Sequence, residues 1–222
     1  MRLLALADIH SERKVLPKLQ RILKEEWDWV LIAGDLTNSG DVAFIEDLLE
    51  IIPTNTLAIH GNMDTVAVIK LLEDKGISIH NKRKEIGGST SRSGYNVVGI
   101  GGSNVTPFHT PTEYPEDKIE SGLDRLQIDS QTILLTHAPP FNCGLDKVGG
   151  GISAGSQAIR KIIDIKQPCL NICGHIHEQE GKAMLGKTLV VKLAPAMRGR
   201  AAEINILDEE VSPRIAVRFF DL

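Results

Sequence analysis

The amino-acid sequence predicts an α/β protein with a largely parallel sheet covered by helices. Short apolar runs alternate with amphipathic helical patterns through the first half of the chain, which is typical of strand–helix–strand units. The apolar run over 3–7 is continuous, as in a strand buried on both faces. The last two apolar runs follow each other without a helical pattern between them, so a hairpin-rich, partly antiparallel C-terminal end is expected.

Three strands, each followed by a helix, are predicted in the first half of the chain. The strands are predicted over 3–7, 30–33 and 56–59. Apolar residues recur at helical spacing over 15–23 and again over 42–52, where Pro53 ends the pattern. The third helix has Asp64 as its predicted N-cap and Gly76 as its C-terminal stop.

The second half of the chain contains more strand patterns and two long irregular stretches. The further strands are predicted over 97–100, 132–135, 170–172, 189–193, 203–207 and 214–219. The irregular stretches are 101–115 and 141–155, and loops of that length in a compact domain are usually functional or disordered. For the glycine-rich part over 144–155 we favour a flexible surface loop over a mobile lid or a phosphate-binding loop. Lys82-Arg83-Lys84 is interpreted as a charged strand edge.

Length and composition favour one ordinary globular domain over residues 1–222, because 222 residues suit a single α/β domain and no linker or repeat interrupts them. The 29 acidic and 25 basic residues leave a net charge of -4, which gives no strong nucleic-acid signal. No apolar run reaches the roughly 18 residues of a membrane span. Three cysteines are expected to be free core thiols, and the protein is expected to be cytoplasmic. A homo-oligomer is compatible with the sequence.

Side chains that can bind metal follow five of the predicted strands directly. They stand in Asp8-Ile9-His10, Gly34-Asp35, Gly61-Asn62, His137 and Gly174-His175-Ile176-His177. Ligands of open α/β sheets bind beyond the carboxyl ends of the strands, so these side chains are expected to meet in one crevice. Two imidazoles two residues apart beside a strand are costly unless they are paired or ligated. Taken together, the five motifs predict a metal site.

In this order and spacing the motifs resemble those of the calcineurin-like metallophosphoesterases, from residue 3 to about residue 200. The resemblance implies a four-layer α/β/β/α sandwich of two mixed sheets with helices outside. It also implies two metal ions bridged by Asp35. One ion is expected to be held by Asp8, His10, Asp35 and His177, and the other by Asp35, Asn62, His137 and His175.

The expected chemistry is hydrolysis of a small phosphate ester. Carboxylate, imidazole and amide ligands without a thiolate suit two divalent ions of Mn²⁺, Fe or Zn²⁺. A hydroxide that bridges the two ions is expected to attack phosphorus in line, while the ions and Asn62 stabilise charge on the phosphoryl oxygens. The sequence identifies no residue that binds the rest of the substrate.

One position departs from the family pattern, because Met63 stands where the family usually has a histidine near the leaving group. A thioether cannot donate a proton, so phosphodiesters are favoured over phosphomonoesters. His109 is a candidate replacement acid, with a solvent-exposed loop histidine as the alternative. His60 and His80 are interpreted as structural, and for Asp64 a helix N-cap is favoured over a residue that supports the metal ligands. The alternative function is a catalytically weak, metal-binding interaction or scaffold protein of the same fold.

Two arginines near the C-terminal end have two possible roles. Arg198 and Arg200 follow Pro195 and are candidates to bind a substrate phosphate, with solvated arginines in a turn as the alternative.

Overall fold

The computed structural model describes residues 1–87, 94–207 and 213–222, and its helices and strands form two large mixed sheets with helices outside. The strands of the first large sheet are β1 (Arg2–Leu6), β2 (Trp29–Ala33), β3 (Thr56–Ile59), β14 (Arg200–Leu207) and β15 (Arg214–Asp221). Those of the second are β4 (Lys82–Ile86), β5 (Tyr95–Ile100), β8 (Thr132–Thr136), β11 (Leu170–Cys173), β12 (Gly181–Leu185) and β13 (Thr188–Lys192). The helices are α1 (Leu16–Ile22), α2 (Val42–Ile51), α3 (Val66–Asp74), α4 (Glu116–Asp124) and α5 (Gln157–Lys166).

The first large sheet has the strand order β15-β14-β1-β2-β3. β1, β2 and β3 are parallel, with Leu4 opposite Val30 and Ala33 opposite Ile59. β14 and β15 add an antiparallel hairpin beside β1. The expectation of parallel strands early in the chain and antiparallel strands at its end is therefore confirmed.

The second large sheet has the strand order β12-β13-β11-β8-β5-β4. β13, β11, β8 and β5 are parallel, while β12 and β4 run antiparallel at the two edges. The charged segment Lys82-Arg83-Lys84 lies in the edge strand β4, as predicted. Its lysines and arginine discourage pairing with another chain at that edge.

The two sheets pack face to face, and the helices cover their outer faces. The core between the sheets includes Leu3, Leu31 and Leu57 from the first sheet and Val97, Ile133 and Ile172 from the second. α1, α2 and α3 pack on the first sheet, and α4 and α5 pack on the second. This arrangement confirms the predicted four-layer α/β/β/α sandwich. Among the described residues, no helix has the length and apolarity needed to cross a membrane.

One predicted helix cap is wrong. The N-cap of α3 is Thr65, whose side chain makes no capping hydrogen bond. The carboxylate of Asp64 points inward instead, to the loops that follow β2 and β3. The other prediction for this helix holds, because α3 ends just before Gly76, which has a left-handed backbone with φ of 75°.

The two long irregular stretches carry short strand pairs that the sequence did not reveal. β6 (Ser103–Asn104) pairs with β7 (Glu113–Tyr114), and β9 (Lys147–Val148) pairs with β10 (Ile152–Ser153). The buried carboxylate of Asp146 accepts hydrogen bonds from the amides at both ends of the second stretch, at Asn142 and Gly155. Hydrogen bonds to Asp146 therefore hold the two ends of this stretch together. The three cysteines are buried and free, as expected.

Candidate metal centre

The five motifs meet where the parallel strands of both sheets end. The amide of His10, after β1, donates to the carbonyl of Asp35, after β2, over 3.0 Å. On the second sheet, the amide of Gly174, after β11, donates to the carbonyl of His137, after β8, over 2.9 Å. Backbone hydrogen bonds therefore tie the ligand-bearing loops together within each sheet.

Four of the predicted ligands have left-handed backbones. The φ angle is 56° at Asp8, 50° at His10, 46° at Asp35 and 74° at His175. Residues other than glycine rarely adopt this region, which costs roughly 1–3 kcal/mol at each position. Such strain persists only where the surrounding structure enforces it, and it concentrates at functional sites.

Two motif glycines are required because carboxylates approach their backbones closely. A Cβ at Gly61 would lie 2.0 Å from Oδ1 of Asp35, and a Cβ at Gly174 would lie 2.6 Å from Oδ2 of Asp8. Neither contact is possible for a side chain. Each glycine therefore gives a buried carboxylate the space to face the opposite sheet.

The first group of side chains consists of Asp8, His10 and His177, whose ligand atoms all lie within 4.8 Å of one another. Oδ1 of Asp8 lies 3.5 Å from Nε2 of His177 and 3.9 Å from Nε2 of His10. The amide of His175 donates to both carboxylate oxygens of Asp8 over 3.1 Å. Asp8 is thus oriented by the motif that supplies His177.

The second group consists of Asp35, His137 and His175, whose ligand atoms also lie within 4.8 Å of one another. Nε2 of His137 lies 3.3 Å from Oδ2 of Asp35 and 2.9 Å from Oδ1 of Asn62. Nδ1 of His137 lies 2.8 Å from the carbonyl of Ala33 and must donate to it, since a carbonyl only accepts. That hydrogen bond fixes the ring so that Nε2 faces the group.

Asp35 belongs to the second group and also lies close to the first. Its Oδ2 is 3.6 Å from Nε2 of His10 in the first group and 3.3 Å from Nε2 of His137 in the second. Its Oδ1 accepts a hydrogen bond of 2.8 Å from the amide of Met63. Asp35 is the residue for which the family resemblance implies a bridging role.

The ionisation of these side chains suits a cation. Burial acts to raise the pKa of Asp8 and of Asp35, but the neighbouring histidines outweigh it and hold both pKa values below the ordinary range. Burial lowers the pKa of His10, and burial with His137 nearby lowers that of His175 to about 3. Burial opposes protonation of His137 too, yet Asp35 and Asp8 raise its pKa to about 9. A metal ion would displace that proton.

The candidate ligands differ in their exposure to solvent. Asp8, Asp35 and His137 are buried, whereas the side chains of His10 and His177 are 13% and 27% exposed. Of these five side chains, His10 and His177 are therefore the ones in contact with solvent.

The candidate acid His109 is exposed, on the loop between β6 and β7. In the part of the chain that the structure describes, neither group of candidate ligands contains it. Its neighbour Thr110 contacts Asn62 over 2.9 Å. The role of His109 as an acid stays a prediction.

Asp64 joins two ligand-bearing loops, a supporting role that the sequence places second to helix capping. Its carboxylate accepts hydrogen bonds from the amides of Leu36 and Gly61 and from both the amide and the hydroxyl of Thr37. The loops after β2 and β3 are thereby held at one carboxylate. The motif placed Asp64 beside Asn62, but sequence spacing does not give the direction of a side chain.

Lys192 is a second residue that the sequence analysis overlooked. It is fully buried, and its Nζ donates to the carbonyls of Leu193 over 2.7 Å and Gln179 over 3.3 Å. Burial lowers its pKa, while Asp8 acts to raise it. A lysine inside the apolar run of a buried strand was the available signal.

The remaining histidines and arginines divide between structural contacts and the rim of the site. Nδ1 of His80 accepts a hydrogen bond from the amide of Gly101. The ring centroids of His60 and His80 lie 4.5 Å apart. Arg200 is committed to ion pairs with carboxylates at Glu180 and Asp221. Arg198 is exposed, and its guanidinium donates to the carbonyl of His177 over 3.0 Å.

The family model for calcineurin-like phosphoesterases matches residues 1–179. An uncharacterized protein of Methanocaldococcus jannaschii is 37% identical over 202 residues, which cover 88% of this chain and 88% of the relative.

Solved structures share the fold at low sequence identity. The crystal structure of the Thermus thermophilus protein TT1561 is similar with a TM-score of 0.70 at 20% identity, covering 99% of this chain and 98% of that one. A dimetal phosphatase from Danio rerio is similar with a TM-score of 0.59 at 9% identity, covering 97% and 98%. At these identities the likeness shows the fold alone.

Proposed function

Since this chain belongs to the calcineurin-like phosphoesterase family, we propose that it hydrolyses phosphate esters at a centre of two divalent metal ions. The observation that carries the proposal is the position of Asp35, which belongs to the second group of ligands and also approaches His10 of the first. Within each group the ligand atoms lie within 4.8 Å of one another. One ion would be held by Asp8, His10, Asp35 and His177. The other would be held by Asp35, Asn62, His137 and His175.

The donor set fits divalent cations. Two carboxylates, four imidazoles and an amide oxygen converge there. The pKa shifts favour ionised Asp8 and Asp35 and neutral His10 and His175. The pKa of His137 is raised to about 9, and a metal ion would displace its proton. Such ligands suit Mn²⁺, Fe or Zn²⁺. Two such ions would activate water for attack and clamp the attacking and leaving oxygens of an in-line displacement.

The protein side chains orient the substrate and stabilise its charge. Two divalent ions with Asp8 and Asp35 leave a net positive pocket, which attracts a phosphate anion. The amide nitrogen of Asn62 donates one N–H to Thr110, and its second N–H would support charge on a phosphoryl oxygen. No side-chain nucleophile is needed.

The preferred substrate in this proposal is a phosphodiester. Met63 occupies the position next to Asn62, and its amide is committed to Asp35. A thioether supplies no proton to a leaving group, so esters with leaving groups that need little protonation are hydrolysed best. Small phosphomonoesters with poor leaving groups are expected to react slowly.

A metal-reconstitution assay tests the proposal. The protein is stripped with a chelator and reloaded separately with Mn²⁺, Fe²⁺ and Zn²⁺. Hydrolysis of bis-p-nitrophenyl phosphate is then compared with that of p-nitrophenyl phosphate and of glycerol 2-phosphate, a monoester with a poor leaving group. We expect metal-dependent hydrolysis, with the diester preferred and glycerol 2-phosphate the slowest substrate. Rates equal to those of the stripped protein with every ion would refute the enzyme and favour an interaction protein of the same fold.

A further inference from the structure

We propose that Glu113 and Thr110 are positioning residues that orient the amide of Asn62, so that its oxygen faces the second group of ligands. The inference rests on the proposed function, because it concerns how a metal ligand is held. Neither residue belongs to the five motifs. Thr110 lies in the loop between β6 and β7, and Glu113 is the first residue of β7, so both belong to a segment outside the two large sheets.

Glu113 organises this loop. Its carboxylate accepts four hydrogen bonds, from the amide and hydroxyl of Thr106 and from the amide and hydroxyl of Thr110, at 2.6–3.1 Å. Burial acts to raise the pKa of Glu113, but these hydrogen bonds outweigh it and lower the pKa to about 2. Glu113 is therefore a carboxylate at neutral pH, and it can only accept.

The hydroxyl of Thr110 donates to Glu113, and this determines which hydrogen bond it can make with Asn62. A threonine hydroxyl has one proton, and Thr110 gives it to Oε1 of Glu113 over 2.6 Å. The hydroxyl oxygen then has only lone pairs left for Asn62, whose side chain lies 2.9 Å away. The NH₂ group of Asn62 must face Thr110, so its Oδ1 must face the opposite way.

Oδ1 of Asn62 therefore points toward the second group of ligands. Oδ1 of Asn62 lies 2.9 Å from Nε2 of His137, which in turn lies 3.3 Å from Asp35. The backbone of Asn62 is held by the same loop, because its carbonyl accepts from the amide of Thr112 over 2.9 Å. The ionised Glu113 thus decides which end of the Asn62 amide is presented to a cation. An NH₂ group presented there would repel it.

Isosteric substitutions separate this role from simple support of the loop. Thr110→Val keeps the shape but removes the acceptor for Asn62, whereas Thr110→Ser restores the hydroxyl. Thr106→Val is the matched control, because it also deletes a hydroxyl that donates to Oε1 of Glu113 yet has no hydrogen bond to Asn62. Glu113→Gln removes the negative charge that draws the proton of Thr110 to Oε1, so the Thr110 hydroxyl can donate to Asn62 instead and the reversed amide is permitted.

The experiment is calorimetric titration of each chelator-stripped variant with Mn²⁺. Wild type is expected to bind two ions. We expect Thr110→Val and Glu113→Gln to weaken one of the two by about 10- to 100-fold, as loss of a residue that orients a ligand typically does. Thr110→Ser and Thr106→Val should stay within about threefold of wild type. Should Thr110→Val not fold, as judged by its melting curve in chelator, Glu113→Gln decides.

Two results would overturn the inference. Wild-type affinity for both ions in Thr110→Val and Glu113→Gln would show that the amide needs no external orientation. An equal loss in Thr106→Val and Thr110→Val would show that the loop acts only as a support. A wild-type protein that binds no Mn²⁺ would instead refute the two-metal function, and the inference with it.

Discussion

The Nε2 atoms of His10 and His177 lie 3.3 Å apart, although 167 positions of sequence separate the two residues. His10 follows β1 of the first sheet, and His177 follows β11 of the second. Both rings also approach Oδ1 of the buried Asp8. Two imidazole nitrogens and a carboxylate oxygen at such distances can bind one shared cation, which would join the two sheets.

Metal removal should therefore destabilise the protein. An ion that binds only the native state at a hundred times its Kd adds about 2.7 kcal/mol to the free energy of unfolding. For a chain of this size, chelation should lower Tm by about 5–10 °C. Differential scanning calorimetry with and without Mn²⁺ measures this shift. An Asp8→Asn variant whose Tm responds to Mn²⁺ as fully as that of wild type would argue against a cation at His10 and His177.

Asp35→Asn should abolish activity and leave the protein folded. The substitution keeps the shape of the side chain but removes the charge shared by the two groups of ligands. A loss of at least about 10³-fold in kcat/KM toward bis-p-nitrophenyl phosphate is expected, since metal stabilisation of the transition state contributes several kcal/mol. Asp47→Asn is the control, because Asp47 is an exposed carboxylate paired with Arg13. Activity of Asp35→Asn within a few-fold of wild type would contradict the bridging role.

Met63→His should raise the rate of phosphomonoester hydrolysis. General acid catalysis contributes about 10²–10⁴-fold, and a partly aligned imidazole should recover at least about tenfold of it. The readout is the ratio of kcat/KM for glycerol 2-phosphate, whose alkoxide leaving group needs a proton, to that for p-nitrophenyl phosphate, whose leaving group does not. Met63→Leu, which restores no proton donor, should leave the ratio unchanged. An unchanged ratio in Met63→His would mean that the pocket cannot use an acid at this position.

Glu203→Gln should weaken the first sheet in a pH-dependent way. Hydrogen bonds from Arg2 outweigh burial and, with Arg218 and Asn205, lower the pKa of Glu203 from 4.5 to about 2. Its stabilising effect is therefore fully present above about pH 4.5 and is lost as the pH falls toward 2.

Urea unfolding of wild type and Glu203→Gln at several pH values measures this effect. The difference in unfolding free energy should be about 1 kcal/mol at pH 7 and should shrink below pH 4.5. Glu50→Gln, on the exposed side of α2, should differ from wild type by less than about 0.5 kcal/mol at pH 7. A Glu203→Gln difference that stays constant down to pH 2.5 would show that the ion pairs are not its origin.

The sequence was sufficient to predict most strands because each is a short apolar run between polar turns. β3 was predicted with the bounds 56–59 that it has in the structure. It was insufficient for α4, whose exposed surface leaves few apolar positions, with Ile119 and Leu123 buried. The edge strand β12 was missed because it carries the weak pattern Gly181 to Leu185, with alternating exposure and no continuous apolar run.

The candidate site was predictable where a motif directly follows a strand. Parallel strands end at a common edge, so the position of Asp8 or His175 in the chain also gives its position in the fold. The supports of these ligands could not be predicted in this way. Glu113 reaches Asn62 only through Thr110, and Asp64 faces inward rather than capping α3. Both contacts depend on side-chain directions that a sequence pattern does not encode.

Anomalous diffraction from crystals grown with Mn²⁺ tests the central claim most directly. Two peaks are expected roughly 3.5–4 Å apart, as in two-metal hydrolytic sites. One should lie against Asp8, His10 and His177 and the other against His137 and His175, with Asp35 contacting both. A single peak, or peaks that Asp35 does not contact, would contradict the two-metal account.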